Sequence, residues 1–161
     1  MDKPIRQPEQ ILAFRPLREI LASKPRKLSS VAPANSVLSA LQIMSDNDVG
    51  CVVVLERSDL VGIVSERDCA RRVVLDRRPP ETTPIADIMV RNVITAGLLH
   101  TFADCLRLMH QHGIRHLPVM DNGKPVTVVS IRDLLSEAVA HHARIIDELE
   151  RERMTIFTST A

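Results

Sequence analysis

The chain contains neither tryptophan nor tyrosine, and its only phenylalanines are Phe14, Phe102 and Phe157. An aromatic platform for stacking bases is therefore missing, which argues against a single-stranded nucleic-acid binder. Any flat ligand would have to lie between aliphatic side chains. Cysteine is scarce as well: Cys51, Cys69 and Cys105 show no paired-ligand spacing. An odd number of thiols cannot all pair within the chain, so a reducing, cytoplasmic compartment is expected. No apolar run approaches the roughly 20 residues needed to span a bilayer. Residues Met1 to Arg6 hold no apolar stretch of the kind that directs secretion. An excess of one charge is also lacking, since 21 Lys and Arg face 20 Asp and Glu for a net +1. Bulk electrostatics thus favours neither nucleic acid nor an anionic membrane as a partner.

What the chain does have is a copy of itself. Residues 28 to 71 align with residues 93 to 136 without a gap, at a constant offset of 65. The identical pairs are Leu41/Leu106, Met44/Met109, Val54/Val119, Val61/Val126, Val64/Val129, Ser65/Ser130, Arg67/Arg132 and Asp68/Asp133. A shorter stretch beginning at Pro16 matches another beginning at Pro84, at an offset of 68. Such self-similarity marks a duplicated supersecondary unit. With 161 residues, 45% hydrophobic and 25% charged, the chain suits one domain, or two small ones sharing a core.

The spacing predicts the same order twice: strand, helix, strand, strand, helix. Val37, Leu38, Leu41 and Met44 recur at helical intervals behind Ser36, a fitting N-cap. Cys51 to Leu55 is a continuous apolar run, as expected of a strand buried on both faces. A turn at Arg57-Ser58-Asp59 leads to a strand at Leu60 to Val64, and a helix from Ser65 to about Leu75. In the second unit Phe102, Cys105, Leu106 and Met109 mark the helix, Leu117 to Met120 and Val126 to Val129 the strands. The last helix begins at Ser130 and continues, or restarts, as far as Glu152. The expected organisation is an arm at 1–15, repeat 1 at 16–75, a proline-rich linker at 76–84, repeat 2 with its C-terminal helix at 85–153, and a frayed tail at 154–161. The fold class is α/β, of the α+β kind, with two repeats packed about a pseudo-twofold axis. One unit alone would bury too little apolar surface to be stable.

The recurring Val-Ser-x-Arg-Asp carries the most local information. Ser65 and Ser130 are read as N-caps, with Asp68 and Asp133 at the position that completes a capping box. A helix N-terminus attracts phosphate, and a carboxylate in its first turn can accept the two hydroxyls of a ribose. Six histidines raise a metal reading, but none stands at ligand spacing with a cysteine or carboxylate, so no metal is expected. Met44, Met89 and Met109 are read as core filler, and Cys51 as a small buried hydrophobe.

The duplicated order, the stretches Gly62-Ile-Val-Ser-Glu-Arg-Asp68 and Val128-Val-Ser-Ile-Arg-Asp133, and Gly113-Ile-Arg-His-Leu-Pro-Val119 resemble the tandem CBS (cystathionine β-synthase) domain family, or Bateman module, of the stand-alone bacterial type. The resemblance covers about residues 16 to 137. It implies adenine nucleotides or adenosyl compounds bound in clefts between the repeats: AMP first, with ATP, NAD(H) or S-adenosylmethionine as the other ligands. In that scheme Asp68 and Asp133 hold the ribose, and Ser30 and Thr95 stand near base or ribose. Val49, Gly50 and Cys51, and Ile114, Arg115 and His116, cage the adenine, with Arg115 expected to read phosphate. Ser65, Arg67, Leu117, Pro118, Ser130 and Arg132, in the same motifs, complete the candidate nucleotide-binding residues. The sequence departs from the family pattern at Thr127, where the first repeat keeps Gly62, and at Leu98, where it keeps Pro33. The expected function is a non-catalytic regulatory or sensor module in signal transduction, acting as a homodimer. An enzyme acting on the bound nucleotide, or a nucleic-acid-binding accessory protein, are the alternatives.

Overall fold

The computed structural model describes residues 14–22 and 27–159, with side chains as far as Thr155. Most of the expected arm, at 1–13, lies outside the described residues. Helix α1 spans Leu17–Ala22, β1 Ser30–Val31, α2 Val37–Asp46, β2 Cys51–Glu56, β3 Asp59–Ser65 and α3 Glu66–Cys69. The second repeat supplies β4 Ala96–Gly97, α4 Phe102–His112, β5 His116–Asp121, β6 Lys124–Ser130 and α5 Ile131–Ser159. Two three-stranded sheets result, ordered β1-β2-β3 and β4-β5-β6. In each, a short parallel strand precedes an antiparallel pair. The mixed α/β architecture of two repeats is thus observed as expected.

Local chemistry is duplicated in detail. Each hairpin carries a register shift at the same place, Val54/Leu55 and Val119/Met120. Each turns through two residues of positive φ: Arg57 and Ser58 in one, Asn122 and Gly123 in the other. A tight turn of that hand matches the right-handed twist of the strands it joins. Ser36 caps α2 by accepting the Ser39 N–H, and Thr101 caps α4 in a full capping box with Asp104.

The helix expected from Ser65 to about Leu75 changes character partway. After α3 the chain widens into a π-helical turn over Ala70–Val74, where the Leu75 N–H reaches the Ala70 carbonyl five residues back. Arg72 donates from Nη1 to the Ile88 carbonyl at 3.0 Å, tying this turn to the segment before repeat 2. At the other end α5 is one uninterrupted helix. It runs through Ser159, so the segment read as a frayed tail is helical over most of its length.

The repeats are joined by exchange. Leu17 and Arg18 donate their amides to the carbonyls of His100 and Leu98, both at 3.0 Å. Ile85 and Ala86 do the same to Asn35 and Pro33, both at 2.9 Å, the matched places in the other repeat. Pro16 pairs with Thr101 and Pro84 with Ser36. The opening segment of each repeat therefore completes the other one. Leu17, fully buried, belongs to the core of Ala96, Phe102, Cys105, Met109, Leu117 and Leu134. Ile85, Ile88 and Met89 belong to the core of Val37, Met44, Val52, Val54 and Val64. The linker is docked rather than loose: Thr83 is 4% exposed, donates its hydroxyl to Pro79, and offers its carbonyl to the Val37 N–H.

Phe14 and Arg15, placed in the arm by sequence, also dock on repeat 2. Phe14 stacks on Phe102 at 4.4 Å and lies 4.1 Å from His141. Arg15 and Arg144 both pair with Glu137 at 2.7 Å. Burial of Glu137 opposes its charged form, but the hydrogen bonds from the two guanidinium groups outweigh it and hold its pKa below the ordinary 4.5.

Two outcomes are expected. Leu17→Ala removes a side chain of repeat 1 from the core of repeat 2, and should cost about 2–5 kcal/mol. Urea unfolding followed by circular dichroism should show a single transition; two separate transitions would mean that the repeats fold independently. A carboxyl held low in the folded state stabilises above its unfolded pKa, and this contribution is lost as pH falls through and below that value. The melting temperature should therefore drop on acidification below about pH 4.5, and less steeply in Glu137→Gln.

Candidate functional site

A cleft of about 800 Å³ opens where the repeats meet. Its floor is built from the start of β2 and the end of α2, its far wall from β6 and the first turn of α5. Val49, Gly50 and Cys51 come from repeat 1; Arg115, His116, Ser130, Arg132 and Asp133 come from repeat 2. These are eight of the sixteen residues singled out from sequence.

Asp133 is placed by its capping box. Its Oδ2 accepts from the Ser130 N–H at 2.8 Å and the Ser130 hydroxyl at 2.6 Å, while Ser130 Oγ accepts the Asp133 N–H at 3.3 Å. Ser65 and Asp68 repeat the arrangement at 2.9, 2.6 and 3.3 Å. In each box the backbone N–H and the hydroxyl of the serine converge on one carboxylate oxygen, which fixes the acidic side chain at the helix start.

The remaining eight residues do not line this cleft. Ser65, Arg67 and Asp68 form the matching turn of repeat 1; Thr95 immediately precedes β4, and Ile114 lies between α4 and β5. Leu117 is fully buried in the repeat 2 core, and Pro118 is buried within β5 opposite Val128. Ser30 opens β1, paired with Val53, and its neighbour Ser29, just before the strand, lines the cleft instead.

Sequence reasoning missed several lining residues, among them Lys27, Asn47, Asp48, Glu66 and Ile131. Glu66 was legible in principle, since it sits within the Ser-Glu-Arg-Asp turn. Thr127, noted as a departure, is 6% exposed and faces the cleft. Its counterpart Gly62 has no room for a side chain: an added β-carbon would stand 2.7 Å from the Met89 sulfur.

His116 lies against Gly50, its Nε2 3.2 Å from where a β-carbon on Gly50 would stand. Burial, then the nearby Arg115 charge, lowers its pKa below 6.5, with Asp133 and Glu66 pulling the other way. The imidazole is thus neutral at pH 7 and offers one donor and one acceptor. Burial pushes the Cys51 thiol up to about 12, which keeps it protonated and poorly nucleophilic. Among the described residues no three His, Cys, Asp or Glu converge as metal ligands, and no helix is long and apolar enough to cross a membrane.

A duplicated α/β module whose exchanged segments frame an inter-repeat cleft is the class that this architecture defines. The sequence profile of the CBS domain matches residues 17–75 and 85–140, and the chain belongs to that family. It is 30% identical over 108 residues to the CBS domain-containing protein YhcV of Bacillus subtilis, covering 67% of this chain and 76% of that one. It superposes on a CBS-domain protein of Burkholderia ambifaria, whose name assigns it to signal transduction, with TM-score 0.75, 35% identity and coverage of 78% and 95%. A CBS domain protein of Pyrobaculum aerophilum, solved in complex with AMP, matches with TM-score 0.67 and 28% identity over 78% of this chain and 99% of that one.

Proposed function

We propose that the chain is a non-catalytic sensor that binds an adenine nucleotide, AMP first among the candidates, in the cleft containing Asp133. The observation that carries this reading is the position of that carboxylate: fixed by its own helix cap, on the wall of an 800 Å³ cleft. Aliphatic and backbone surfaces at Val49, Gly50, Val128 and Ile131 suit a flat base in a chain without tryptophan or tyrosine. Arg115 offers a planar set of donors to a phosphate. The AMP bound by the Pyrobaculum aerophilum relative supports the same ligand class. The protonated Cys51 thiol supports binding over nucleophilic chemistry. Ligand binding across two repeats would shift their relative arrangement, and a partner would read the shift. Turnover of ATP or NADH by the purified protein would replace this reading with that of an enzyme.

Titration calorimetry tests the residue roles. Asp133→Asn keeps capping ability but loses charge-assisted bonds worth about 1.5–3 kcal/mol each. It should weaken AMP binding about tenfold or more, with the melting temperature nearly unchanged. Arg115→Gln should weaken AMP but spare adenosine. Equal binding by parent and Asp133→Asn would remove the ribose assignment.

Pairing into a homodimer is part of the same reading. Leu38, Leu106, Leu135 and Val139 remain 36%, 38%, 58% and 71% exposed on α2, α4 and α5, an apolar surface that a second copy would cover. Light scattering should give twice the chain mass; a concentration-independent monomer would overturn it.

A further inference from the structure

The two repeats use one backbone device at the cleft and decorate it with opposite charges. The Glu66 N–H donates to the Gly50 carbonyl at 3.1 Å, and the Ile131 N–H donates to the Arg115 carbonyl at 2.9 Å. On that shared scaffold repeat 1 carries a bare backbone at Gly50 and a carboxylate at Glu66. Repeat 2 carries a guanidinium at Arg115 and an aliphatic group at Ile131. All four residues line the same cleft. Glu66 Oε2 lies 3.7 Å from where a β-carbon on Gly50 would stand, beside His116 Nε2 at 3.2 Å from the same point. A β-carbon at position 50 would crowd the imidazole and make ordinary contact with the carboxylate. The Glu66 carboxylate is exposed and forms no ion pair among the described residues.

The charge inventory of the cleft is balanced. Lys27, Arg115 and Arg132 face Asp48, Glu66 and Asp133, and half-buried His116 is mostly neutral at pH 7. Such a site has cations enough for one phosphate group. The further charges of a di- or triphosphate would find no additional cation in the cleft and would meet the Glu66 carboxylate, a like charge that repels them.

We propose that Glu66 is a specificity-determining residue, which makes the cleft select a nucleoside monophosphate over the triphosphate. This rests on the adenine-nucleotide reading and refines it by ligand charge. Because Glu66 is held through its backbone N–H and its side chain is exposed, replacing the carboxylate leaves the fold intact.

The experiment is a calorimetric titration of the parent, Glu66→Gln and Glu66→Asp with adenosine, AMP and ATP, the last with and without Mg²⁺. The parent should bind AMP at least about tenfold more tightly than ATP. Glu66→Gln should narrow that ratio about tenfold by tightening ATP, while adenosine changes by less than about twofold. Glu66→Asp, which keeps the charge, should retain the preference for AMP. Equal binding of AMP and ATP by the parent overturns the proposal, as does an equal shift of both in Glu66→Gln. Loss of ATP binding in Glu66→Gln only when Mg²⁺ is present would also overturn it, by making Glu66 a cation ligand. A parent that binds none of the three overturns the nucleotide reading itself, a result distinct from any of these.

Discussion

The reciprocal exchange of the segments beginning at Pro16 and Pro84 is the constraint on which the rest of the structure depends. Each repeat has too little apolar surface to close its own core, and each is closed by the residues that open the other. Leu17 fills one core and Ile85, Ile88 and Met89 fill the other. The amides of these segments also satisfy carbonyls at the start of α2 and α4. Because both exchanges use matched positions, they fix a pseudo-twofold relation between the repeats. The cleft exists because two bodies held in that relation meet along β3 and β6.

Within this frame the capping box links stability to recognition. A helix N-terminus must satisfy its leading amides, and Ser130 with Asp133 does so using one carboxylate oxygen. Folding thereby places an acidic group at the wall of the cleft, on rigid backbone. The same local chemistry at Ser65 and Asp68 accompanies different surroundings. Function at such a site depends less on the motif than on what the opposite repeat brings to it.

The repeat is most informative where it fails. Gly50 against Arg115, Cys51 against His116, Glu66 against Ile131 and Gly62 against Thr127 are all differences between matched positions, and seven of these eight residues line the cleft. The exception is Gly62, pressed against Met89. Divergence after duplication has therefore left the two sides of the cleft chemically unlike.

The sequence by itself determined the duplication, the order of strands and helices, the turns and the helix caps, because these depend on neighbours within a few residues. It also pointed to Asp133, Gly50, Arg115 and His116, through motifs that are local in the chain. Only the tertiary structure decided that Ser29 rather than Ser30 faces the cleft, that Glu66 reaches Gly50, and that Phe14 and Arg15 belong to repeat 2. It also decided that the proline-rich linker is docked. These facts arise from contacts between residues far apart in sequence, whose partners no local periodicity names. Strand registration, exchanged packing and the approach of one repeat to the other set them.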